Sequence, residues 1–179
     1  MKKIFYLLVL FFLYDINSFS QEIIISGEKG NRPLTWNDFA GKPDKQSTYE
    51  ANTYWNINYG IKGIQFKGDT ALFTGLTMKL ELNSKQSWVK KESETDYLLK
   101  HEQGHFDIGR LCLAAINQAF TNGVFLKKDY QTKPSAIFSE TLKKYHEMGA
   151  LYDKETDHSK NKEEQKRWDV LIDKLLSGN

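Results

Sequence analysis

The 179-residue sequence predicts an α+β fold, with a small, mainly antiparallel N-terminal sheet followed by three helices. Two observations carry this. Up to about residue 92, short β-branched or alternating runs lie between glycine- and proline-rich turns. Beyond that point the apolar residues recur at helical spacing.

The elements follow in order. "MKK", the apolar run "IFYLLVLFFLY" and "DINSFSQ" have the parts of a secretory signal peptide, residues 1–20, with cleavage expected between Ser20 and Gln21. The apolar run is well short of the roughly 20 residues that span a bilayer, so stable membrane insertion is not expected after cleavage. Residues 21–179 are then one domain's length of chain, expected to be secreted or periplasmic. Cys112, the only cysteine, lies in an apolar helical phase and reads as a buried small hydrophobe. Losing Lys2, Lys3 and Asp15 with the leader takes the net charge from +2 to +1, a balance that argues against nucleic acid or an anionic membrane as partner.

"QEIIISG" is a short strand stopped by glycine, and "GNRPLTWNDFAGKPDK" is a turn-rich stretch holding two of the three prolines. "TYWNINYG" follows, then "TALFTGLTMKLELN", where Leu72, Leu76, Met78, Leu80 and Leu82 alternate as one strand with one buried face. Its edge suits an extended substrate. Ser93 or Thr95 can cap the first helix, which runs to about Phe120 and stops at Gly123. Pro134 suits the first turn of the second, "SAIFSETLKKYHEMGALYDKE". The third, "KNKEEQKRWDVLIDKLL", has Trp168, Leu171, Leu175 and Leu176 at helical spacing.

Chemistry concentrates in "HEQGH", inside the first helix. His101 and His105 are four residues apart and share a helix face, so both imidazoles can reach one metal ion. Glu102 is rotated by about 100° from His101 and occupies the place of a general base. This makes the segment a zincin-like active-site helix. Gly104, in mid-helix, needs a packing or functional reason. A catalytic zinc takes three protein ligands. The extended metzincin pattern is excluded, because Leu111 stands where its third histidine would be. The downstream candidates are Glu140, His146, Glu147, Asp153, Asp157 and His158. His158 is preferred, because it lies in a polar break between helices from which a loop can fold back onto the first helix. Asp107 and Asp153 are candidate partners of the imidazoles, and Tyr152 or His146 candidate oxyanion donors.

"LTWNDFAGKPD" (Leu34–Asp44), "SWV" (Ser87–Val89), "LLKHEQGHFDI" (Leu98–Ile108), "YDKETDH" (Tyr152–His158) and Gln165 with Trp168 occur in that order. Together they resemble the bacterial domain-of-unknown-function family nine hundred and twenty-two, whose members are described as predicted secreted zinc-dependent proteases. The resemblance implies Zn²⁺ on His101, His105 and His158, with Glu102 as catalytic base. Trp36, Asp38, Phe39 and Gly41 match its N-terminal motif and read first as turn and core residues. The expected activity is zinc-dependent hydrolysis of peptide or related amide bonds, with a protein or peptide substrate. The competing reading is a secreted interaction domain whose metal is structural or absent.

Overall fold

The computed structural model describes residues 20–178; the expected leader lies outside them except for Ser20, which begins the first strand. The strands are β1 (Ser20–Ile25), β2 (Glu28–Lys29), β3 (Ala51–Asn52), β4 (Trp55–Gly60), β5 (Gly63–Lys67), β6 (Thr70–Thr74), β7 (Thr77–Leu82), β8 (Trp88–Val89) and β9 (Phe125–Leu126). The helices are α1 (Asp96–Asn122), α2 (Lys133–Thr156) and α3 (Lys162–Ser177). The expected α+β order is observed. The largest sheet has the order β2-β1-β7-β4, with β1 and β7 parallel and the other pairs antiparallel. A second sheet has the order β5-β6-β9, and β3 pairs with β8.

The stretch read as one strand is two. Gly75, at φ +60°, turns the chain out of β6 and into β7, a backbone conformation that side chains other than glycine rarely take. The buried phase reverses across that turn. In β6 it is Ala71 and Phe73 that are buried, packing with Phe125 in a small separate cluster, while Leu72 is 37% exposed. In β7 it is Met78, Leu80 and Leu82, which join the main core. β7 also lies between β1 and β4, so it presents no edge to a substrate.

The face of β4 and β7 that carries Ile57 and Leu80 is covered by α1 through Phe106, Ile108, Cys112 and Ile116. Burial pushes the Cys112 thiol up to about 12, so the group stays protonated and inert. Gly109 allows close packing here, since a Cβ on it would stand 2.9 Å from Cδ2 of Trp55. Thr95 caps α1 by accepting from the Leu98 amide at 3.1 Å, and Pro134 occupies the first turn of α2. The buried stripe of α3 is Gln165, Trp168 and Ile172, whereas Leu171 and Leu175 point outward. The stripe follows Gln165 because that side chain is bonded into the core. No helix among the described residues is long and apolar enough to cross a membrane.

The N-terminal motif is structural. Asp38 is 2% exposed and accepts hydrogen bonds from Arg32 Nη1 (2.7 Å) and Nη2 (2.6 Å), the Thr35 amide (2.8 Å), Thr35 Oγ1 (3.0 Å) and Ser26 Oγ. Burial opposes its charge, but these donors outweigh burial and hold its pKa well below the usual carboxylate range. Asp38→Asn is therefore expected to cost about 2–4 kcal/mol, read as a lower urea midpoint at unchanged slope. The sign with pH follows from the depressed pKa. The native advantage is full above about pH 3.9, the unfolded value, and is lost as pH falls toward the lower folded-state pKa. Acid titration of wild type and variant should converge.

Candidate metal centre

The N-terminal half of α1 passes beneath the segment that runs from β3 into β4, and α2 lies alongside. Between them is a cavity of about 310 Å³, whose wall includes His101, Glu102, His105, His146, Asp153 and His158. The four-residue spacing read from the sequence sets His101 and His105 side by side, with ring centroids 5.0 Å apart. His101 is 2% exposed and lies against the ring of Tyr152, with centroids 4.6 Å apart.

One atom of α2 brings the site together. Oδ1 of Asp153 lies 3.1 Å from Nε2 of His101 and 2.9 Å from Nε2 of His105. Donor atoms of His101, His105 and Asp153 all lie within 4.8 Å of one another, so the three can hold a metal ion. The set suits one chemically, because two imidazole nitrogens and a carboxylate oxygen form a common ligand set. Ligand atoms in a tetrahedron with bonds of roughly 2.0–2.1 Å are about 3.3 Å apart, close to the two separations from Asp153 Oδ1. Burial by itself would raise the pKa of Asp153, but the hydrogen bonds and charges of the two imidazoles hold it well below the usual carboxylate range. For His105, burial works against the charged form, yet the hydrogen bond and charge of Asp153, with the charge of Glu102, raise its pKa.

His158 reaches the same place from the turn after α2. Asp157, His158 and Ser159 all have left-handed backbone, with φ of 46°, 50° and 75°. Three consecutive non-glycine residues in that region are strained. The Asp157 and His158 amides both donate to the Asp153 carbonyl, and the turn carries the His158 ring back over α2. Its Nδ1 is 3.3 Å from Asp153 Oδ1, and its ring packs on Tyr49 with centroids 4.4 Å apart.

Glu102 is 3% exposed and accepts a 2.6 Å hydrogen bond on Oε2 from Thr53 Oγ1, which fixes the rotation of the carboxylate. The Thr53 hydroxyl also lies 3.2 Å from the Glu102 carbonyl oxygen. His146, two turns before Asp153 on α2, stacks on Trp55 with centroids 4.9 Å apart and 6° between planes. Two expected supporting residues stand elsewhere. Asp107 pairs with Arg110 (2.9 Å) and Gln103 (3.0 Å), because its place on α1 turns it away from the imidazoles. Tyr152 is fully buried and already occupied, donating to the His101 carbonyl at 3.2 Å and accepting from Gln165 at 2.6 Å. It has no hydroxyl to offer an oxyanion.

Nothing in its local sequence points to the part Thr53 plays: the residue sits in the short connection between β3 and β4. Gln165 did carry a signal. It is a polar residue on the stripe that Trp168 and Ile172 continue.

The fold and the site define an α+β domain with a candidate two-histidine, one-aspartate metal centre between its first two long helices. The family model described as bacterial protein of unknown function (DUF922) matches residues 26–160, and the chain belongs to that family. No curated protein and no solved structure matches the chain.

Proposed function

We propose that the protein is an exported zinc-dependent hydrolase of peptide or related amide bonds. The observation that carries this reading is the convergence of Nε2 of His101, Nε2 of His105 and Oδ1 of Asp153 in one cavity wall, with the Glu102 carboxylate beside them. His101, His105 and Asp153 would hold the ion, and His158, with Nδ1 beside Asp153 Oδ1, would be a further donor. Zinc in such a site supplies Lewis-acid polarisation of a carbonyl and acidifies water.

The chain's own residues supply the rest. Glu102, its carboxylate held by Thr53, accepts a proton from the attacking water as the carbon–oxygen bond forms. It then delivers that proton to the leaving nitrogen as the carbon–nitrogen bond breaks. The His146 ring, kept in the cavity wall by Trp55, offers an N–H toward developing negative charge. The leader read at residues 1–20 supports action outside the cytoplasm.

The test is the metal content of the purified chain beside three variants. The expected result is about one zinc per chain, lost in His101→Ala and in Asp153→Ala, and retained at lower affinity in His158→Ala. Retention in Asp153→Ala with loss in His158→Ala would make His158 the third ligand and overturn the Asp153 assignment. Absence of bound zinc from every form, even after zinc is added, would sink the hydrolase reading.

A further inference from the structure

Behind His101, on the side away from the cavity, lies a closed set of polar groups whose hydrogen-bond directions can be worked out in order. Lys100 pairs with Asp169 Oδ2 at 2.5 Å, and Asp169 Oδ1 receives a 2.8 Å hydrogen bond from Gln165 Nε2. The carboxylate paired with an ammonium only accepts, so the NH₂ side of the Gln165 amide has to face it. The reversed amide would set Oε1 against Asp169, acceptor against acceptor. The same NH₂ group donates to Tyr152 Oη at 2.6 Å, and the Tyr152 hydroxyl passes its own hydrogen to the His101 carbonyl. Both donors of the amide are thereby used, and Oε1 is left 2.9 Å from Nδ1 of His101. Gln165 is 1% exposed, so no solvent competes for that contact.

An acceptor at Nδ1 favours the tautomer of the imidazole that carries its hydrogen there. Nε2 of the neutral ring then presents a lone pair toward Asp153 Oδ1, 3.1 Å away. Two acceptors at that distance repel, so the pair takes a cation between them: a second proton, which makes the ring the imidazolium that donates to Asp153 in the metal-free chain, or a metal ion in its place. Resting on the metal-site reading above, we infer that Gln165 is a positioning residue. Through the Lys100–Asp169–Gln165 chain, it fixes the Nδ1–H tautomer of His101 and keeps the Nε2 lone pair on the metal position. The contribution is direction rather than contact, because Gln165 does not line the cavity. His101 is thus held from both sides, its ring plane by Tyr152 and its proton by Gln165.

The experiment has two readouts, neither of which needs a substrate. The first is the ¹⁵N–¹H imidazole spectrum of the metal-free chain at alkaline pH, which reports the His101 tautomer directly. The second is zinc affinity by chelator competition. Both are taken for wild type, Gln165→Met and Asp169→Asn, with far-UV circular dichroism as the control for folding. Wild type is expected to carry Nδ1–H on His101. Gln165→Met should lose that preference and bind zinc about 10- to 100-fold more weakly at unchanged helicity. Asp169→Asn, which frees the amide to turn over, should move both readouts in the same direction by less.

An Nε2–H tautomer in wild type, or tautomer and affinity unchanged in a folded Gln165→Met, overturns the inference. If Gln165→Met fails to fold, the wild-type tautomer and Asp169→Asn decide it. A wild-type chain that takes up no zinc, yet shows Nδ1–H that depends on Gln165, would leave the positioning role standing and remove the metal reading.

Discussion

Glu102→Gln is expected to leave zinc content unchanged and to lower hydrolysis by about 10²- to 10⁴-fold, the range for loss of a general acid–base group. The substitution keeps the volume and keeps a carbonyl oxygen to accept from Thr53, so the local structure has little reason to move. It removes only the capacity to take a proton. Glu102 is also not among the three residues whose donor atoms converge, so metal binding should not require it as a ligand. The measurement is turnover of a quenched-fluorescent peptide library beside metal analysis of the same samples. Loss of activity with metal retained supports the general-base role. Retained activity would falsify it, and loss of metal in the variant would instead make Glu102 a ligand.

Gly104→Ala carries the second large effect, and its sign is informative. At an exposed helical position the change would stabilise by about 1 kcal/mol, since alanine is the better helix former. Here a Cβ would stand 2.5 Å from Tyr152 Oη and 2.9 Å from its Cζ. Tyr152 cannot yield easily, because it is fully buried, bonded to Gln165 and the His101 carbonyl, and packed on Trp168. We expect a net loss of about 2–4 kcal/mol in urea unfolding, from overpacking together with broken hydrogen bonds. Zinc affinity should fall with it, because the displaced ring is the one that supports His101. A stabilised variant with normal zinc binding would show that Tyr152 has room to move and that Gly104 is not there for packing.

Gly104 also illustrates what a local reading can reach. That a glycine in mid-helix needs a reason is visible in the sequence; that the reason is a tyrosine 48 positions further along is not. The same division appears in α3. Its helical period is plain, but Leu171 and Leu175 compete with Trp168 and Ile172 for the inward face. The polar Gln165, bonded to His101 and Tyr152, tips the rotation. In β6 and β7 an alternation broken only at Thr74 hid a change of sheet, because Gly75 resets the chain direction while Leu72 and Leu76 stay in the same phase of the sequence.

What the sequence determined by itself is local. The order of strands before helices, the cap at Thr95, the first-turn proline Pro134 and the placing of His101 and His105 on one face follow from signals within a few residues. The rest of the site is assembled across distance. Asp153 meets the two histidines only because α2 packs along α1, and the left-handed turn after it folds His158 back. Thr53 reaches Glu102 from a strand connection, and Gln165 reaches His101 from the last helix. Such contacts depend on how the elements pack together. Packing is decided by the fit of whole buried faces, a property no short stretch of sequence contains.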